Sequence, residues 1–283
     1  MFEQILDDFN KGNIRGPEDI AKWGLRALES KKQELDEKCS FISTYLANLK
    51  KAKKIIIGCS NTQIILKNVL DYVVDFENLR QLQTLEEIKR SLSRKIKIMG
   101  KRLEKAPHKL SLAGHRKLKN VKSVLTHGYS KSVLNILEES RKRKLKISVI
   151  SAEPFGEGEL MAKDVSKLFP TLLFLDSGVD AAIKSSNIVL IGCNSYDERG
   201  FVCYAGTESL VLTANFYGVP VYVCTDTLRY SEFKLLKKNT YTKKLKRIKV
   251  INSIVGTKLI KGVICEEGVL STNEFLKKSK SNY

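Results

Sequence analysis

The stretch SVLTHGYSKSVLNILEESRKRKLKISVI, residues 123–150, decides the fold. It opens with a short apolar run, Ser123 to Thr126, crosses a small-residue turn, and continues at helical periodicity from Ser130 to Lys142. A second apolar run, Ile147 to Ile150, closes it. Short apolar runs on either side of a helical segment are the mark of a βαβ unit, whose strands lie parallel and are joined by a right-handed crossover. The pattern recurs downstream. Leu172 to Leu175, Ile188 to Ile191 and Val221 to Cys224 read as further buried parallel strands, and Gly158 to Leu168 and Thr207 to Tyr217 as crossover helices. The expected fold class is therefore α/β: a helical N-terminal domain, residues 1–115, followed by a Rossmann-like doubly wound parallel sheet domain, residues 116–283.

Upstream of that stretch the chain reads as helices. Pro17 follows Gly16 where a first-turn proline belongs, and Ile20, Trp23, Ala27 and Leu28 fall on one helical face. Leu35, Cys39, Ile42, Leu46 and Leu49 make a second stripe, and Leu85, Ile88, Leu92, Ile96, Met99 and Leu103 a third. Between them Ile55 to Gly58 fits a short strand or a buried turn equally well. The frayed end is Lys277 to Tyr283.

The 283 residues carry a net charge of +19, and two stretches hold nearly all of it. Glu86 to Lys122 contains thirteen Lys/Arg and three acids, a net of +10, and Phe233 to Val250 contains eight basic residues and no acids. Such a field attracts polyanions, so Lys101, Arg102, Lys243 and Lys244 are the candidate nucleic-acid contacts; solvated lysine-rich helix faces are the plain alternative. No apolar run approaches the roughly 18 residues of a membrane span, and the first ten residues lack a basic leader. The six cysteines (Cys39, Cys59, Cys193, Cys203, Cys224, Cys265) form no CxxC pair, which fits a reduced, cytoplasmic chain. His108, His115 and His127 have no ligand partners at metal spacing, so neither a metal nor a cofactor is expected.

Ligands of a doubly wound sheet sit at the carboxyl ends of its strands. Just past each strand lie Thr126-His127-Gly128-Tyr129-Ser130, then Ser151 to Gly158, Asp176-Ser177, Gly192-Cys193-Asn194-Ser195 and Gly206-Thr207-Glu208. The candidate ligand-binding residues are His127, Gly128, Ser130, Asp176, Asn194, Gly206 and Thr207. Each has a structural reading beside it: His127 a turn histidine bonded to main chain, Asp176 a helix cap. Cys59 and Cys193 lie near turns without a basic partner in view, which favours inert thiols. Gly206-Thr207 is the best anion candidate, because a helix N-terminus offers backbone N–H groups.

The order of these turns resembles the alpha/beta/delta regulatory-subunit family of translation initiation factor 2B, which also contains methylthioribose-1-phosphate and ribose-1,5-bisphosphate isomerases. The matches are LTHGYS, EPFGEG, LDSGVDAAI, VLIGCNSYDERG, YAGTESL and CEEG, with NIRGPEDIAKWGLRAL in the first third. The resemblance implies that the isomerases place an acid/base Cys and Asp at positions occupied here by Gly128 and Asn194, neither of which transfers a proton near neutrality. A phosphate-gripping Arg of the family falls at Glu153, and its Arg-Pro-Thr segment at Ser60-Asn61-Thr62. No catalytic residue is expected.

The resulting expectation is a non-catalytic, archaeal-type regulatory subunit that acts through contacts with translation initiation factor 2 or related initiation proteins, senses a nucleotide or sugar phosphate, and touches RNA. The alternatives are a sugar-phosphate isomerase with a relocated acid/base pair and a basic RNA-associated scaffold. A homodimer or higher oligomer is expected through the α/β domain, using Tyr196 to Tyr204 and Thr207 to Tyr217.

Overall fold

The computed structural model describes residues 2–10, 16–60, 64–231, 237–241, 246–250 and 252–280, with main chain only at 5, 8–10, 237–241 and 246–250. It divides into two compact units, residues 1–105 and 106–282. The first third is helical: α1 (Phe2–Asn10), α2 (Pro17–Lys38), α3 (Ile42–Cys59), α4 (Ile64–Val73), α5 (Phe76–Arg80) and α6 (Leu85–Lys117). Pro17 stands in the first turn of α2, where its missing N–H is no loss. Ile88, Leu92, Ile96, Met99 and Leu103 of α6 are all buried, as their spacing predicts.

Two expectations in this region are corrected. Ile55 to Gly58 is neither strand nor turn but the last turns of α3. Leu49, Ala52 and Ile56, spaced three and four apart, are buried there, and a helical face outweighs the β preference of three consecutive isoleucines. The stripe from Leu35 to Leu49 is likewise not one helix. The backbone turns extended at Cys39 (φ −108°, ψ 125°) and Phe41 (φ −112°, ψ 133°), so the stripe is split between α2 and α3 and Tyr45 takes the core position.

The rest is α/β. Its elements are β1 (Ser123–His127), α7 (Lys131–Glu139), β2 (Lys146–Ile150), α8 (Glu157–Val165), β3 (Thr171–Phe174), α9 (Val179–Lys184), β4 (Ile188–Gly192), β5 (Ser195–Asp197), β6 (Gly200–Tyr204), α10 (Thr207–Phe216) and β7 (Val221–Cys224). Then follow β8 (Lys237–Tyr241), β9 (Lys246–Val250), β10 (Asn252–Gly256), β11 (Gly262–Cys265), β12 (Gly268–Leu270) and α11 (Thr272–Lys280). The main sheet runs β12-β11-β7-β4-β1-β2-β3, parallel throughout except for β12 against β11. Counting the parallel strands alone, this is the doubly wound order 3-2-1-4-5-6, whose direction of winding reverses between β1 and β4. A small antiparallel sheet, β10-β6-β5, and a lone β8–β9 ribbon complete the topology.

Period-two alternation shares the strands between two cores. Val124, Ile147, Val149, Ile188, Leu190 and Tyr222 pack with α7 and α8, whereas Leu125, Ile150, Val189, Ile191, Val221 and Val223 pack with α9, α10 and α11. Burial on both faces is why these strands read as unbroken apolar runs. The third strand departs from its reading. β3 is an edge strand, paired with β2 alone, and Leu172, Leu173 and Leu175 are 61%, 46% and 64% exposed rather than buried. The proposed dimer segment Tyr196 to Tyr204 also fails as surface. Tyr196 and Phe201 are fully buried, pack on Phe275, and Tyr196 donates its hydroxyl hydrogen to Ser279 Oγ at 2.8 Å. On α10, by contrast, Leu212 and Phe216 are exposed.

Candidate functional site

The winding order puts the ends of β1 and β4 at the reversal point, where a crevice opens in such sheets. His127 ends β1 and is buried. Its Nδ1 lies 2.8 Å from Thr207 Oγ1, at the first residue of α10, and its Nε2 lies 3.5 Å from Asp176 Oδ1, just past β3. Asp176 in turn accepts hydrogen bonds through Oδ2 from Ser151 Oγ (2.8 Å) and the Glu153 main-chain N–H (3.0 Å). Gly206, in the left-handed region at φ 89°, completes the group: a Cβ there would stand 3.6 Å from both Asp176 Oδ1 and His127 Nε2.

Four of the sequence candidates, His127, Asp176, Gly206 and Thr207, thus meet. His127 is held by side chains, not by main chain as the turn reading had it, and Asp176 ties the β2 turn rather than capping a helix. The Thr207 hydroxyl is engaged by the imidazole, which removes one polar group from any anion site at α10. Ser130 accepts from the Val133 N–H as the N-cap of α7, and its hydroxyl packs where a Cβ on Gly192 would stand at 2.3 Å. Asn194 is exposed, and its main-chain N–H donates to Val202 O at 2.8 Å. Lys101 is exposed on α6 and Arg102 half-buried there; Lys243 and Lys244, like Asn61 and Thr62, lie outside the described residues.

Gly128 has a neighbour that sequence reading missed. It sits at φ 64°, and a Cβ built on it would lie 2.7 and 2.9 Å from two carbons of the Tyr204 ring and 3.3 Å from Ala152 Cβ. The Tyr204 hydroxyl donates to Tyr129 O at 3.1 Å, which pins the ring. Burial, with Glu157 beside it, raises the phenol's pKa far above its ordinary value. Glu157 Oε2 is itself buried without a hydrogen-bond partner. Ala152 holds φ 61°, a strained conformation for a residue with a side chain. No spacing rule links residue 204 to residue 128; only the return of β6 beside the β1 turn does.

Neither of the two cysteines near turns is activated. Burial pushes the Cys193 thiol up to about 12 and raises Cys59 as well, so neither supplies a thiolate near neutrality. A second acidic cluster lies past β7 and β11: Glu266, of the CEEG motif, accepts from the Thr227 N–H and hydroxyl, and burial followed by the nearby Asp226 raises its pKa. Among the described residues no three His, Cys, Asp or Glu side chains are grouped to hold a metal ion.

Burial lowers the pKa of His127, and the Asp176 carboxylate opposes this without overcoming it. Burial alone would raise Asp176, but the Glu153 N–H, the Ser151 hydroxyl and His127 bring it below the usual carboxylate range. The pair is therefore a neutral imidazole beside a carboxylate at neutral pH. The unfolded chain protonates this histidine near its ordinary value of about 6.5, whereas the folded chain does so only at lower pH. Its contribution to stability is complete above that value and declines as pH falls from there toward the depressed folded pKa. Urea midpoints measured from pH 7.5 to 5 should fall less steeply for His127→Gln than for the parent, and equal slopes would refute the assignment.

The chain matches the model of the initiation factor 2 subunit family over residues 13–272. It is 24% identical over 279 residues to the putative translation initiation factor eIF-2B subunit 2-like protein of Pyrococcus furiosus, covering 94% of this chain and 95% of that one. It is 23% identical over 241 residues to the ribose 1,5-bisphosphate isomerase of Archaeoglobus fulgidus, covering 81% and 72%. Its fold is that of a chain of the tetrameric eIF2B-beta2-delta2 complex from C. thermophilum, with a TM-score of 0.75 at 13% identity over 100% of this chain and 94% of that chain. With the doubly wound order and the family's turns at its strand ends, the chain belongs to the initiation factor 2 subunit family.

Proposed function

We propose that the protein is a non-catalytic regulatory member of this family, acting through contacts with the initiation machinery. The observation that carries the reading is the Tyr204 ring packed over Gly128: the position where the resembling isomerases keep a catalytic cysteine is left without a proton donor and roofed by an aromatic side chain. Asn194 stands for the second catalytic group and does not titrate. The buried His127–Asp176 pair favours the second reading, a sugar-phosphate isomerase with relocated groups, since an imidazole and a carboxylate at a switch point are fit for proton transfer. Two measurements separate them. Purified initiation factor 2 should bind saturably, and neither ribose-1,5-bisphosphate nor methylthioribose-1-phosphate should be turned over. Turnover without partner binding would establish the isomerase. A nucleotide or sugar phosphate sensed at the strand-end turns would raise the melting temperature by mass action without being converted.

The protein acts as a homodimer in this reading, paired through the α/β unit. The leucine edge of β3, rather than Tyr196 to Tyr204, is the surface for it. Thr171 to Leu175 carries no charge in a chain of +19, and an open apolar edge strand pairs readily with its own copy. Sedimentation at micromolar concentration should give a dimer, and Leu173→Lys with Leu175→Lys should give a monomer. A parent that sediments as a monomer refutes the contact. RNA contact along α6, being electrostatic, should weaken steeply with salt and show little sequence preference.

A further inference from the structure

At the amino end of the parallel sheet, opposite the strand-end turns, two loops lie side by side. Leu118 to Lys122 leads into β1, and Ser140 to Leu145 leads into β2. The pairing of β1 with β2 fixes them as neighbours: Ser123 stands beside Lys146, and the Lys146 N–H donates to Lys122 O at 2.9 Å. Arg143 staples them further. Its guanidinium donates to Lys119 O and to His115 O, each at 3.2 Å, and His115 Nδ1 lies 3.1 Å from Ser140 Oγ. Around this fixed frame Lys119, Lys122, Arg141, Lys142, Lys144 and Lys146 are all exposed.

None of these six forms an ion pair among the described residues, whereas Lys67, Lys167 and Lys184 each meet a carboxylate three or four residues away. The chain has no acid between Lys105 and Leu137 or between Ser140 and Ala152, so within these segments only Glu138 and Glu139, at the end of α7, oppose the six. Asp164, which shares a hollow with Arg141, is taken by Lys167. Helix C-termini favour a nearby cation, and Arg143 supplies it; the others are held together against their mutual repulsion. What the patch lacks selects its occupant. Among the described residues no large apolar side chain is exposed between 106 and 146, the Tyr222 ring at this end is buried beneath the Lys117 ammonium, and Leu168 beside Arg141 is a single leucine at 38% exposure. An acidic protein would need an apolar core to bury, a membrane an apolar wedge, and a nucleic-acid single strand aromatic rings on which its bases stack. Phosphates along a double helix need only cations held in place. We propose that the paired lead-in loops of β1 and β2 bind the phosphate backbone of a nucleic-acid duplex. The proposal deepens the RNA contact read above, from which it takes the helix to be RNA, and gives it a surface separate from the α6 row.

The test uses the full chain and a short labelled RNA duplex, read by fluorescence anisotropy at increasing salt, with thermal melts to confirm that each variant is folded. Lys119→Gln with Lys142→Gln and Lys144→Gln, all at exposed positions, should weaken the duplex by about tenfold or more. The slope of log affinity against log salt should fall by about three, roughly one for each phosphate contact removed. An unlabelled DNA duplex should compete, since the backbone chemistry is shared, and the tighter of the two identifies the helix. Polyuridylate should compete weakly, and polyglutamate and phosphatidylserine vesicles not at all at matched charge. Arg94→Gln with Lys101→Gln removes the α6 row alone. Loss of binding there with an undiminished triple variant overturns the present proposal and leaves the α6 contact standing; the reverse result supports the proposal and overturns the α6 contact. No duplex binding by the parent, or equal binding of polyuridylate, overturns the proposal outright. Displacement by polyglutamate or by the vesicles also overturns it, and assigns the patch to an acidic protein or to a membrane surface.

Discussion

Gly158→Ala should strongly destabilise the α/β unit. Gly158 is the second residue of α8, in the EPFGEG turn, and its N–H donates to Ser151 O at 2.8 Å. A Cβ at this position would lie 2.0 Å from Ile150 O, 2.7 Å from Ser151 Cα and 2.8 Å from Ile150 C. All three are main-chain atoms at the end of β2, a strand paired on both sides, so nothing near them can rotate aside. At Gly192, by contrast, the close neighbour is the Ser130 side chain, which has other rotamers. The expected cost is about 3 kcal/mol or more, at the upper end for overpacking, which in a unit of this size lowers the melting temperature by roughly 10 °C. Gly58→Ala is the control. It sits in α3 with nothing within 4 Å of its Cβ position, and should be neutral or stabilising. A Gly158→Ala protein that melts with the parent would mean that α8 does not rest on the end of β2. Function is touched as well, because the same turn presents Ser151 and Glu153 to Asp176.

The doubly wound unit was legible in the sequence because burial on both faces writes each inner strand as a short apolar run with a turn at its carboxyl end. β1, β2, β4 and β7 follow that rule within a residue. β3 follows it in letters but not in environment: the same leucines sit at an edge, and a run of apolar residues does not say whether a partner strand or nothing lies beside it. The α3 segment at Ile55 was illegible for a related reason, since three β-branched residues favour a strand locally and only Leu49 and Ala52 upstream reveal the helical face that buries Ile56. At the candidate site, His127, Asp176, Gly206 and Thr207 were found because each stands at a strand end, which topology brings together. Tyr204 was not, since its role depends on β6 folding back over the β1 turn. Nor was the fate of Tyr196 and Phe201, whose aromatic rings suit an interface and a core equally until α11 is seen to cover them.

The same Tyr204 governs the expected outcome of restoring the isomerase residues. Wild-type protein should show negligible turnover of ribose-1,5-bisphosphate and methylthioribose-1-phosphate, because each missing acid/base group is worth roughly 10²- to 10⁴-fold in rate. Gly128→Cys with Asn194→Asp returns both groups in name, yet the double variant should stay inactive and become less stable. Cysteine at φ 64° is strained, and its Cβ would stand 2.7 Å from a ring carbon of Tyr204, whose hydroxyl is tied to Tyr129 O. Strain and overpacking together should cost about 2–4 kcal/mol. Adding Tyr204→Ala removes the ring, so the triple variant should regain part of that stability even though the substitution alone destabilises the parent, a coupling that a double-mutant cycle on Gly128→Cys and Tyr204→Ala measures directly. Any rate should first appear once the ring is gone and Glu153→Arg restores a cation for the phosphate. Turnover by the unmodified protein on the order of one per second or faster would overturn the non-catalytic reading. Loss of that rate in His127→Gln and Asp176→Asn would then assign the proton transfer to the buried imidazole–carboxylate pair.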